Sequence, residues 1–99
     1  PLANSAARHD AVEALAARTA MSPRNFARVF AREVGMTPAR YVERARVEAA
    51  RRRLEESSAG IDDVAGASGF GTAETMRRAF LRNVRVPPAD YRSRFRTVH

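Results

Sequence analysis

Residues 37–57 read TPARYVERARVEAARRRLEES, and the reading of this stretch decides the fold. Thr37 carries a hydroxyl suited to capping a helix, and Pro38 stands at the first helical position, where a missing N–H does no harm. About nineteen residues then run on without Gly or a second Pro, so nothing interrupts the helix. At 1.5 Å per residue the rod is roughly 30 Å long. The sequence on its two sides repeats at an offset of 50: Phe26 falls beside Met76, Arg28 beside Arg78, Phe30 beside Phe80, Arg32 beside Arg82, Val34 beside Val84, Pro38 beside Pro88 and Tyr41 beside Tyr91. A small helical module is written twice, and a stiff helix separates the copies.

The flanks give each copy its shape. In the first, Asp10 precedes Val12, Leu15 and Ala16, an apolar stripe that predicts a short helix to about Thr19. Ala20-Met21 makes the turn. Ser22-Pro23 repeats the cap-plus-proline start, Phe26, Val29 and Phe30 form the apolar side, and Gly35 stops the helix. The opposite side carries Arg24, Asn25, Arg28 and Arg32. Two short helices joined by a tight turn, the second amphipathic and basic, make a helix-turn-helix.

In the second copy Ile61 precedes Asp62 and Asp63, acids placed where the dipole of a helix start favours them. Ser68-Gly69-Phe70 supplies the turn. Thr72 caps the next helix, which buries Met76, Ala79 and Phe80 and shows Ala73, Glu74, Arg77, Arg78 and Arg82. A last short helix runs from Pro87-Pro88 through Tyr91 to about Phe95. The expected architecture is all-α with about seven helices: a first unit over 1–36, a linker helix over 37–57 and a second unit over 58–99.

Composition narrows the function. The 99 residues carry a net charge of +7, with 18 arginines and no lysine. Such a charge calls for a polyanionic partner, nucleic acid before an anionic membrane or an acidic protein. Arginine suits bidentate contacts to phosphate and guanine, although a GC-rich genome explains the missing lysine about as well. Without cysteine, disulfides and thiolate metal sites are excluded. No apolar run is long enough for a membrane span, and no signal peptide opens the chain. A cytoplasmic fragment of a longer protein is the expectation, since the chain starts at Pro1.

These residues resemble the DNA-binding domain of the AraC/XylS family of bacterial transcription regulators. The resemblance covers about Val12 to Phe95 and rests on LAARTAMSPRNFARVFAREVGMTPARYV (15–42) and IDDVAGASGFGTAETMRRAFLRNVRVPPADYRSRF (61–95). In the second stretch GF, the spaced core residues, PP and Y-R recur in family order. The wording is also similar to the subgroup whose upstream domain resembles the DJ-1/PfpI fold. What the resemblance implies is two helix-turn-helix units whose recognition helices enter adjacent major grooves on one face of double-stranded DNA. Groove segments on one face recur about every 34 Å, a spacing that a rod of roughly 30 Å suits.

Carried over from the family, the base-reading positions are Arg24, Asn25 and Arg28 in the first unit and Ala73, Glu74, Arg77 and Arg78 in the second. Arg suits guanine and Asn adenine. Glu74 either accepts from a cytosine amino group or pairs with Arg78 at i+4, with pairing slightly favoured. Phosphate contacts are expected at Ser22, Arg32, Thr72, Arg82, Arg85, Arg92 and Arg94, and the helix start at Pro88 offers free N–H groups. RNA polymerase is an expected partner if the parent protein activates, and oligomerisation is expected only through the missing N-terminal part. Three departures from the family stand out. Arg85 replaces the Gly that usually ends the second recognition helix, Ala20 replaces the turn Gly, and Arg53 replaces a Leu, which predicts a central helix that buries less.

Other residues invite plainer readings. Phe26, Phe30, Phe70, Met76, Phe80 and Tyr91 are expected in the core, as is Tyr41 with its hydroxyl at the edge. Arg44–Glu48, Glu48–Arg52 and Arg51–Glu55 stand at i,i+4, so the Arg51–Arg53 run is expected as a solvated, self-paired surface. His9 and His99 have no acid or Cys partner, and no phosphate loop, nucleophile triad or metal spacing is present, so neither enzyme activity nor any cofactor or metal is expected. The competing function is a helical protein-interaction module with an acidic partner.

Overall fold

The computed structural model describes residues 21–95, and the helix expected over 10–19 lies outside them. Five helices follow in order: α1 (Pro23–Val34), α2 (Pro38–Glu56), α3 (Ile61–Ala67), α4 (Ala73–Asn83) and α5 (Pro88–Phe95). The described residues contain no strand.

The helix ends are set locally, as the sequence predicts. The hydroxyls of Ser22, Thr37 and Thr72 accept the backbone N–H groups of Asn25, Arg40 and Thr75 at 3.1, 3.2 and 3.1 Å. Each satisfies a donor that the first turn would leave unpaired. Gly35 ends α1 in the left-handed conformation, φ +90°, with its N–H on the Ala31 carbonyl at 2.8 Å. Arg85 takes the corresponding position after α4 and the same left-handed conformation, φ +71°, the only non-glycine described with positive φ. Its N–H and that of Val84 both reach the Phe80 carbonyl, at 2.9 and 2.7 Å, so α4 ends on a left-handed residue as α1 does, but without the glycine.

The central helix is unbroken over its 19 residues, about 28 Å at the standard rise, yet it is more than a spacer. Val47, Ala50 and Leu54 join Val64, Ala65, Phe70, Met76, Ala79, Phe80 and Tyr91 in one buried cluster. At 100° per residue, Val42 and Ala49 lie on a different side of α2, and both are buried as well. Two sides of α2 are therefore covered, and Arg53 lies on the side of Val42 and Ala49. That guanidinium folds back half-buried, with Nη1 on the Ala49 carbonyl at 3.3 Å.

The first unit differs from expectation in degree. No residue of α1 is fully buried, and Phe26, Phe30 and Tyr41 are half-buried rather than core. They form an aromatic ladder, Phe26 to Phe30 at 5.8 Å and Phe30 to Tyr41 at 5.6 Å edge-on, which seats α1 on the start of α2. Helical periodicity shows which side is apolar but not how much material covers it.

Candidate nucleic-acid interface

On α1, Arg24, Arg28 and Arg32 are exposed and Asn25 is half-buried. The Arg28 guanidinium donates to Asn25 Oδ1 at 2.6 Å. One expected base reader thus holds the other, at i,i+3, a spacing legible in the sequence.

On α4, Glu74 clamps two expected readers at once. Arg77 engages it through both Nε and Nη2, at 2.9 and 2.8 Å, and Arg78 Nε donates to Oε2 at 3.0 Å. The pairing with Arg78 follows the sequence, whereas the bidentate grip on Arg77 is an addition. These bonds, Arg77 first, hold the Glu74 carboxyl well down, to about 2, so it is ionised in neutral solution. Ala73 is half-buried beside them at the first position of the helix.

The expected phosphate contacts divide into two groups. Arg32, Arg85 and Arg94 are exposed. Ser22 and Thr72 use their hydroxyls as caps, which leaves phosphate to the neighbouring backbone N–H groups. Arg92 is otherwise engaged: it is half-buried and donates to the carbonyls of Leu54 and Ser57, both at 3.2 Å, closing the exposed end of α2. Its geometry is that of a C-terminal helix cap, and the role of phosphate contact does not suit it.

Arg82 is held from across the fold. Its Nη2 and Nε meet Glu43 of α2 at 2.7 and 3.3 Å, and the Asn83 amide donates to the same carboxylate at 2.7 Å. The Glu43 carboxyl lies below its ordinary value, chiefly through the bond from Arg82 and against the effect of burial. Nothing in the local pattern of either helix signals this contact.

The Arg51–Arg53 run also departs from a solvated surface. Arg51 pairs with Glu48 at i,i+3 (2.8 Å) instead of Glu55 at i,i+4, and its Nε donates to the Tyr91 hydroxyl at 3.1 Å. The Tyr91 hydroxyl in turn donates to Glu55. Asp62 and Asp63 stand in the first turn of α3, as helix-start electrostatics requires. Among the described residues no group of His, Asp and Glu is arranged to hold a metal ion, and no helix is long and apolar enough to cross a membrane.

Comparison with known proteins places this arrangement. A helix-turn-helix domain family matches residues 15–94. The HTH-type transcriptional regulator Rv1931c of Mycobacterium tuberculosis is 59% identical over 81 residues, 82% of this chain and 31% of that protein. A putative AraC-like transcription regulator of Streptomyces lividans is 37% identical over 87% of this chain and 28% of its own length. The chain therefore spans about a third of the length of the curated relatives it matches. Among solved structures, the DNA-binding domain of AdpA, a global transcriptional factor crystallised with a target DNA, superposes with a TM-score of 0.76 at 40% identity, over 85% of this chain and 76% of that one. The match over most of the chain and the shared fold show that the chain belongs to the AraC/XylS family of helix-turn-helix transcription regulators, as a DNA-binding domain.

Proposed function

We propose that the chain reads a double-stranded DNA site through α1 and α4, set by α2 into adjacent major grooves on one face of the duplex. The carrying observation is that two arginine-faced helices with different readers are both seated on one continuous helix of 19 residues, α1 through Phe30 on Tyr41 and α4 through Arg82 on Glu43. The DNA-bound state of the similar AdpA domain supports the same reading. Because Asn25 and Arg28 differ from Glu74, Arg77 and Arg78, the two half-sites differ in sequence, and one chain reads both without a palindrome. Arg24 and Ala73 complete the two reading surfaces, while Arg32, Arg85 and Arg94 face the phosphates.

Within a longer regulator, effector sensing and oligomerisation belong to the part that this chain does not span. An activating parent would meet RNA polymerase near the bound domain, in the bacterial nucleoid. Selection of bound duplexes from a random pool tests the reading directly. The expected result is a two-part site with half-sites about one helical turn apart. Arg28→Ala should then lose about 1–3 kcal/mol on that site and relax preference at particular base pairs. An equal loss on random DNA, with preference unchanged, contradicts base reading by Arg28.

A further inference from the structure

Glu43 is an acid set among arginines on a surface that meets a polyanion, where its charge repels the ligand. It is nevertheless largely covered: its side chain is 22% exposed against 54% for its partner Arg82. Its two oxygens take three donors. Arg82 supplies two in the fork geometry, and Asn83 supplies the third. The Asn83 Nδ2 group also donates to the Ala79 carbonyl at 2.8 Å, which locks that side chain to the last turn of α4. Glu43 is therefore bound to a rigid part of α4 rather than to one swinging guanidinium.

Two residues earlier on α2, the Tyr41 ring meets Phe30 of α1 edge-on. A single turn of α2 thus touches the C-terminal part of both reading helices, one through an aromatic contact and one through a carboxylate. Deeper in the second unit, the apolar packing of α4 against α2 is non-directional. The fork of hydrogen bonds to Glu43 is directional, and so it can fix an angle where packing alone allows a few degrees of rocking.

We propose that Glu43 is a positioning residue that fixes the orientation of α4 relative to α1, and through it the half-site spacing that the protein accepts. The inference rests on two-groove reading and adds that the spacing is enforced by this contact. One inserted base pair moves the second half-site by about 3.4 Å and turns it by about 35°. A rigid pair of readers cannot follow both changes, whereas a loosened α4 follows them in part.

The test uses the best duplex selected from a random pool and the same duplex with one base pair inserted between its half-sites. Wild type should bind the inserted duplex at least about tenfold more weakly, a coupling of the size expected for residues that act as a unit. Glu43→Ala should reduce that penalty to about threefold or less. Asn83→Ala severs the same junction from the other helix and should relax the penalty in the same sense, even if Glu43→Ala proves too unstable to assay. Glu56→Ala removes an equal charge from an exposed end of α2 and should leave the penalty unchanged. If wild type binds both duplexes equally, two-groove reading fails and the proposal falls with it. If wild type discriminates and the Glu43 and Asn83 variants discriminate just as strongly, the reading stands and the positioning role of Glu43 is refuted.

Discussion

Arg51 and Tyr91, forty residues apart, are joined through both the plane and the edge of the ring. The guanidinium carbon lies 5.4 Å from the ring centroid, while Nε donates to the phenolic oxygen at 3.1 Å. Tyr91 is 2% exposed, rests edge-on against Phe80 at 5.9 Å and donates its hydroxyl hydrogen bond to Glu55. α5 is thereby fastened to α2 by a chain of polar groups over an apolar floor. Such a chain is strong only while every member is satisfied.

Tyr91→Phe keeps the ring and strands both Arg51 Nε and Glu55, so it should lower stability by about 1–3 kcal/mol, read from the urea midpoint, without altering base preference. Burial, then the Glu55 bond, pushes the Tyr91 hydroxyl above its ordinary value. A phenol that holds its proton more tightly when folded contributes stability that is complete below about pH 10 and drains away as pH rises through the raised value. Wild type should therefore lose stability above pH 10 more steeply than Tyr91→Phe. Parallel curves in that range would show that the hydroxyl is not coupled to folding.

Arg28 and Asn25 should behave as one reading unit. In the free protein the Asn25 amide oxygen already holds the Arg28 guanidinium at 2.6 Å, so part of the ordering of a long side chain is complete before DNA arrives. Asn25→Ala should then relax preference at the base pair read by Arg28 as well as at its own. In a double-mutant cycle on the selected site, the two losses should fall short of additivity by at least about 0.5 kcal/mol. Strict additivity would mean that the contact dissolves on binding and carries no specificity.

Much of this was legible from local chemistry. Ser22, Thr37 and Thr72 cap as read, Gly69 and Phe70 form the expected turn and buried aromatic, and Glu74 pairs with Arg78. The caps and the Glu74–Arg78 pair depend on residues within one helical turn of one another, where spacing alone dictates contact. What escaped was non-local. Glu43 with Arg82, Arg51 with Tyr91, and Arg92 with the end of α2 join positions 35–40 apart, and their helices meet only once the core has formed. Phe26, Phe30 and Tyr41 are less covered than their periodicity predicts because an apolar stripe gives direction, not depth.

Glu74 should act as a brake on indiscriminate binding. Its carboxylate holds Arg77 and Arg78 together on the helix surface, so a phosphate must compete for them, whereas a cytosine amino group can be accepted by the acid itself. Glu74→Ala should raise affinity for random-sequence DNA and steepen the salt dependence by about one unit, while narrowing the margin between selected and random duplexes. The low value of about 2 is caused first by the Arg77 bond and next by that of Arg78. A carboxyl depressed in the folded state keeps its pairing above its unfolded value and loses it only as pH falls through about 2. Between pH 5 and 8, then, Glu74 should impose no pH dependence on binding. A titration of affinity in that window that disappears in Glu74→Ala would contradict this.

Arg85 sets stability against binding most directly. Its left-handed conformation, φ +71°, is the one Gly35 adopts at φ +90° after α1, and for a residue with a Cβ it costs roughly 1–2 kcal/mol. Glycine would remove that strain, but its freer unfolded chain returns about 0.4–1 kcal/mol of the gain. The net expectation for Arg85→Gly is a protein more stable by about 0.5–1 kcal/mol, seen as a higher urea midpoint at unchanged slope. The same change removes an exposed positive charge at the end of α4, so affinity for every duplex should fall together and the salt slope should flatten by about one unit. A variant that is stabilised but binds DNA as before would show that Arg85 makes no phosphate contact. A variant that is destabilised would show that its side chain holds the turn more firmly than the strain opposes it.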